Sequence, residues 1–139
     1  MIGYNYETDF RLNTEDLYTQ WISKTIEAES CSQGEINYIF CDDEYLHKLN
    51  VEFLNHDTLT DIISFDYSIG KIVHGDIFIS IERVADNAQD FKVTFEEELA
   101  RVIIHGILHL CGYKDKTDED AQIMRLKENH YLNQLKSIS

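Results

Sequence analysis

The chain has 139 residues, a formal charge of −14, 43% apolar and 12% aromatic residues. This length and apolar content suit a single folded domain over residues 1–139 and exclude a disordered chain, while 12 Lys and Arg against 26 Asp and Glu argue against broad, non-specific nucleic-acid binding. No apolar run approaches the roughly 18 residues of a membrane span, and residues 1–7 lack the character of a leader, so a cytoplasmic location is expected.

Ile2, Tyr4 and Tyr6 alternate with Gly3, Asn5 and Glu7, a period of two that predicts a strand over 2–7. Asn13 or Thr14 is placed to cap a helix with Glu15 and Asp16 in its first turn, and Leu17, Trp21, Ile22 and Ile26 continue its stripe to about Ser30. Ser32-Gln33-Gly34 reads as a break, and residues 35–40 alternate as a second strand. Asp42 caps the next helix, whose face is Tyr45, Leu46, Leu49 and Phe53; 54–60 reads as a loop. Strands over 61–67 and 72–80 flank a turn at 68–71, so they are expected as antiparallel neighbours. Gly75 within the second of these predicts close approach of another group to the backbone.

A helix from Ile81 to about Phe91 follows, with Ile81, Val84, Ala85 and Ala88 on one face. Thr94 with Glu97 is a capping box opening a helix that is apolar on most of its circumference and therefore packed on more than one side. Thr117 starts a last helix to about Lys136, with Ile123, Leu126, Tyr131 and Leu135 expected inward. The order β-α-β-α-β-β-α-α-α defines an α/β (α+β) fold: one mixed, roughly four-stranded sheet covered by about five helices, with the apolar helix at its centre.

That central helix ends in His105-Gly106-Ile107-Leu108-His109-Leu110-Cys111-Gly112-Tyr113-Lys114-Asp115. Histidines four apart share a helix face and can converge on one ion. Gly112 can stop the helix and turn the chain, bringing Asp115 back to the same ion. The spacing is that of the metzincin metal motif, with Asp115 in place of a third His. Gly106 stands where those proteases carry a general-base Glu, which disfavours a peptidase of that type. Imidazole and carboxylate ligands suit one Zn²⁺ best, with Ni²⁺, Mn²⁺ or Fe²⁺ as alternatives, and three protein ligands leave a position open for chemistry. Asp118 and His130 are alternative third ligands. His56, Asp57, Asp61, Asp66 and Asp76 are candidate second contributors to catalysis. The competing reading makes His105 and His109 core residues that need only hydrogen-bond partners. Cys31, Cys41 and Cys111 show no disulfide spacing, and Cys111 reads as core packing.

These residues resemble the YbeY family of bacterial metal-dependent endoribonucleases, whose signature is H-G-x-L-H-L-x-G-Y-D-H. Two further stretches are similar to the family: Leu49-Asn50 through Thr60-Asp61-Ile62-Ile63-Ser64-Phe65, and Gly75-Asp76-Ile77-Phe78-Ile79-Ser80. The resemblance implies a metal held by His105, His109 and Asp115, through which these residues would be catalytic, and hydrolysis of phosphodiester bonds during ribosomal RNA maturation. It implies RNA as partner, with ribosomal proteins or an assembly GTPase beside it. The chain departs from the signature at Asp115, which is still chemically a ligand, and at Leu54, where the family carries an Arg. Leucine neither pairs with phosphate nor stabilises developing charge. Arg101 or Lys114 would have to replace that Arg if either borders the cleft. The alternatives are a non-catalytic, metal-containing ribosome-assembly factor and a zinc hydrolase of another substrate class.

Overall fold

The structure, a computed structural model, describes residues 1–56 and 59–139. Its elements are β1 (Ile2–Tyr6), α1 (Glu15–Ala28), β2 (Ser32–Cys41), α2 (Asp43–Leu54), β3 (Ile62–Asp66), β4 (Ile72–Ser80), α3 (Ile81–Phe91), α4 (Phe95–Leu110) and α5 (Asp118–Ile138). The element order is the one the hydrophobic periodicity predicts, and the fold is α/β. The four strands lie in the order β1-β2-β4-β3. β1 pairs with β2 and β2 with β4 in parallel, whereas β3 runs antiparallel to β4. The parallel pairs need long crossovers, supplied by α1 and by the α2–β3 segment; β3 and β4 need only their short turn.

Alternation along the strands divides the apolar residues between two layers. Ile36, Tyr38 and Phe40 of β2 and Val73, Ile77 and Ile79 of β4 join residues of α1, α4 and α5 in the main core. On the opposite face, Cys41, Ile63, Phe65 and Phe78 pack against Leu46 and Leu49 of α2. Trp21 is buried as expected, and its indole N–H donates to the Tyr131 carbonyl at 2.7 Å, pinning α1 to α5. Three of the predicted caps are present. Asp42 accepts from the Tyr45 N–H at 2.8 Å, Thr94 from Glu97 at 3.1 Å and Thr117 from Asp120 at 3.0 Å. Thr14 occupies the N-cap of α1 without a side-chain cap bond.

Three expectations need correction. β2 begins at Ser32, not Glu35, because Ser30 at φ 61° turns the chain and the Ser32 N–H then pairs with the Lys71 carbonyl at 2.8 Å. In α5 the inward stripe is Met124, Glu128, Tyr131 and Leu132, leaving Ile123 and Leu126 exposed. The buried face includes Glu128, whose carboxylate bonds to Arg101 and His105 of α4. In α2, Leu46 and Asn50 are buried, while Phe53 lies exposed at the rim with its ring against Phe65. The close approach predicted at Gly75 comes from the Phe65 carbonyl and Leu110, which would lie 2.5 and 3.1 Å from an added Cβ.

Candidate metal centre

α4 positions the centre by what it buries. Leu99, Val102, Ile103, Gly106, Ile107 and Leu110 are buried. Gly106 lets the helix come close to the sheet, since a Cβ there would meet Ile77 at 3.0 Å and Ile62 at 3.2 Å. This position therefore faces the strands, and a glutamate here would have no room to act on a substrate. The remaining stripe, Glu98, Arg101, His105 and His109, borders a cleft of about 880 Å³. β3 and the end of α2 form its other wall.

The helix ends as the glycine predicts. Gly112, at φ +109°, donates its N–H to the His109 carbonyl at 3.0 Å, and Tyr113 donates to Leu108 at 3.0 Å, the paired bonds of a Schellman turn. The turn returns Asp115 to the histidines. Its Oδ2 lies 3.4 Å from His105 Nε2 and 3.5 Å from His109 Nε2. One ligand atom from each residue falls within 4.8 Å of the other two. Those separations are long for hydrogen bonds. The two carboxylate–imidazole distances match the roughly 3.4 Å between two ligand atoms set tetrahedrally about 2.1 Å from one ion. The donor set and its spacing fit a divalent metal ion.

Glu128 of α5, which the sequence reading had not singled out, completes the arrangement. Its Oε2 lies 2.7 Å from His105 Nδ1, and its Oε1 accepts from Arg101 at 2.9 Å. Burial works against the charge of Glu128, but hydrogen bonds from His105 and Arg101 overcome it and hold the carboxyl below its ordinary value. An ionised carboxylate only accepts, so Nδ1 carries a proton and Nε2 is the nitrogen left facing Asp115. Burial likewise disfavours a charged His105, yet the bond to Glu128, with the charges of Glu128, Asp115 and Asp61, raises its pKa. The sequence signal for Glu128 was its place on the 124–128–131–132 stripe, visible only once Leu126 is turned outward.

Asp61, His56 and Asp66 border the cleft. Burial raises the Asp61 carboxyl against the opposing pull of His105. Glu98, also missed from sequence, is raised by burial and by the neighbouring charge of Asp61. Asp76 is engaged elsewhere, accepting from the Asn37 amide at 3.3 Å. Asp57 lies outside the described residues. The group formed by the two histidines includes neither Asp118 nor His130; His130 pairs with Gln134 at 3.1 Å. Cys111 packs against the core as expected, and burial, with Cys31 beside it, pushes its thiol up to about 12. Its sulfur is not part of the group formed by His105, His109 and Asp115. Leu54 faces the cleft, and Arg101, Lys116 and Arg125 are the cations that border it; Lys114 is not among the lining residues.

A mixed sheet backed by an apolar helix, with a His-x-x-x-His pair turned toward a carboxylate in a cleft, defines an α/β protein with a candidate metal site. The family model described as Endoribonuclease YbeY matches residues 4–136. The chain is 67% identical over 129 residues to the Endoribonuclease YbeY of Flavobacterium johnsoniae, covering 93% of each chain. It is 63% identical to that of Flavobacterium psychrophilum, covering 95% of this chain and 94% of the relative. The solution structure of TM1509 from Thermotoga maritima superposes with a TM-score of 0.73 at 30% identity, over 97% of this chain and 89% of that one. The chain belongs to the YbeY family. Among the described residues, no helix is long and apolar enough to cross a membrane.

Proposed function

We propose that this chain is a zinc-dependent endoribonuclease that hydrolyses phosphodiester bonds in ribosomal RNA precursors. The observation that carries the reading is the convergence of His105 Nε2, His109 Nε2 and Asp115 Oδ2 at ligand spacing, in a chain whose relatives are named endoribonucleases. Zn²⁺ at these three residues would supply Lewis acidity toward a phosphoryl oxygen and toward water. Glu128 fixes the tautomer and the orientation of His105. Arg101 holds Glu128 at 2.9 Å and reaches Asn129, whereas Arg125 stands 3.9 Å from Glu128 with 59% of its side chain exposed, so the phosphate contacts fall chiefly to Lys116 and Arg125. Asp61 and Glu98, whose carboxyls burial has raised, are the cleft groups suited to take up a proton during hydrolysis. The reading places the protein in the cytoplasm, with ribosomal proteins or an assembly GTPase as partners.

Leu54 favours a second reading. A leucine stands in the cleft at the position where the resemblance to the family signature implies an Arg, and the protein would then keep fold and metal as a non-catalytic ribosome-assembly factor. One experiment separates the two. Untagged, zinc-loaded protein and its His109→Ala variant are assayed on structured RNA, with zinc content measured on each. The nuclease reading expects about one zinc per chain and cleavage that the variant loses. Bound zinc without cleavage in the wild type supports the assembly factor; no zinc in either protein overturns both.

A further inference from the structure

Asp115 is the most exposed of the three clustered side chains, at 42% against 20% for His105 and 30% for His109. It also stands outside any helix or strand, in the segment between α4 and α5. A carboxylate so placed meets two imidazoles reliably only if the surrounding chain is held. The Schellman turn fixes how the segment leaves α4, but nothing in that turn reaches past Tyr113. The next anchor is Tyr113 itself, two residues before Asp115.

The Tyr113 hydroxyl donates to Glu29 Oε1 at 2.6 Å, and Lys127 Nζ lies 5.7 Å from the centre of its ring. Glu29 is the C-cap residue of α1, and its side chain is only 9% exposed. Its other oxygen accepts from the Tyr131 hydroxyl and, at 3.3 Å, from Lys127, both on α5. The carboxylate is thus fastened to two helices, and the loop is fastened to the carboxylate. Two residues of chain span at most about 7 Å, so fixing the Tyr113 ring limits how far the Asp115 carboxylate can move from the histidines.

We propose that Glu29 and Tyr113 are positioning residues of the metal centre, their hydrogen bond holding the turn after α4 so that Asp115 stays against His105 and His109. The proposal rests on the reading of Asp115 as a ligand. Its test compares Tyr113→Phe with Tyr131→Phe. Each removes one hydroxyl from Glu29, but only the first releases the loop. Zinc affinity is measured by competition with a chromophoric chelator, and thermal stability on the metal-free proteins, with Asp115→Ala as reference. Expected are similar losses of metal-free stability in the two phenylalanine variants, with zinc affinity about tenfold weaker only in Tyr113→Phe, in the range usual for groups that orient a metal ligand. Equal zinc affinity in Tyr113→Phe and the wild type, or equal weakening in both phenylalanine variants, would overturn the positioning role while Asp115→Ala still loses zinc. Wild-type affinity in Asp115→Ala would instead overturn the assignment of Asp115, and the tether with it.

Discussion

Glu128 carries a full charge where only 7% of its side chain is exposed, and it does so because His105 and Arg101 both reach it. A buried carboxylate with two charge-assisted donors is stable only as a set; removing its charge leaves those donors without their partner. Its effect on the centre is indirect, through the proton it keeps on His105 Nδ1. Glu128→Gln is therefore expected to weaken zinc binding by about 10–100-fold, read by chelator competition. Unchanged affinity would mean that His105 needs no such orientation. Neither the role nor the burial of this residue can be inferred from its neighbours in sequence, which are mostly polar. The histidine pair is different: its own spacing places both rings on one helix face, and the rings do lie 4.6 Å apart.

At the scale of elements, close approach between α4 and the sheet sets where the centre sits. Gly75 of β4 faces the last turn of α4, and an added Cβ would lie 2.5 Å from a backbone oxygen of β3 that has little freedom to move. Gly75→Ala is expected to destabilise the protein by about 1–3 kcal/mol through overpacking, measured by urea unfolding. Wild-type stability would show that β3 yields without cost. The junction of α1, α5 and the turn after α4 titrates in a defined direction. Burial opposes the charge of Glu29, but hydrogen bonds from Tyr113, Tyr131 and Lys127 prevail and lower its pKa. The folded protein then releases this proton more readily than the unfolded chain, so the stabilisation is full above the ordinary glutamate value of 4.5 and is lost as pH falls through the lower folded value. Glu29→Gln should melt below the wild type at neutral pH, with the gap narrowing in acid. A gap independent of pH would show that the charge contributes nothing.

For the whole molecule, a charge of −14 sets how RNA is met. The cleft itself carries Asp61, Asp66, Glu98, Asp115 and Glu128 against Arg101, Lys116 and Arg125. A polyanionic substrate approaches against repulsion, and salt screens repulsion as it does attraction. At a fixed zinc concentration, kcat/KM on an RNA oligonucleotide is expected to rise as monovalent salt increases from about 10 to about 150 mM, where the Debye length shortens from about 30 to 8 Å. A steep fall over that range, the behaviour of proteins that bind through many phosphate contacts, would show that the few cations of the cleft dominate.

By itself the sequence determined the order of elements, the antiparallel β3–β4 pair, three helix caps and the His-x-x-x-His pair. Each of these is set by interactions within a few residues, through periodicity, capping or turn geometry. The tertiary structure decided where β2 begins, which face of α5 is buried and why position 106 is glycine. It also brought Glu128 and Glu29 to partners 23 and 102 residues away, as in His105–Glu128 and Glu29–Tyr131. A charged residue on a helix reads as solvated until its partner is known. Packing brings the partners together, and the charge-assisted hydrogen bonds they form offset the cost of burying those carboxylates.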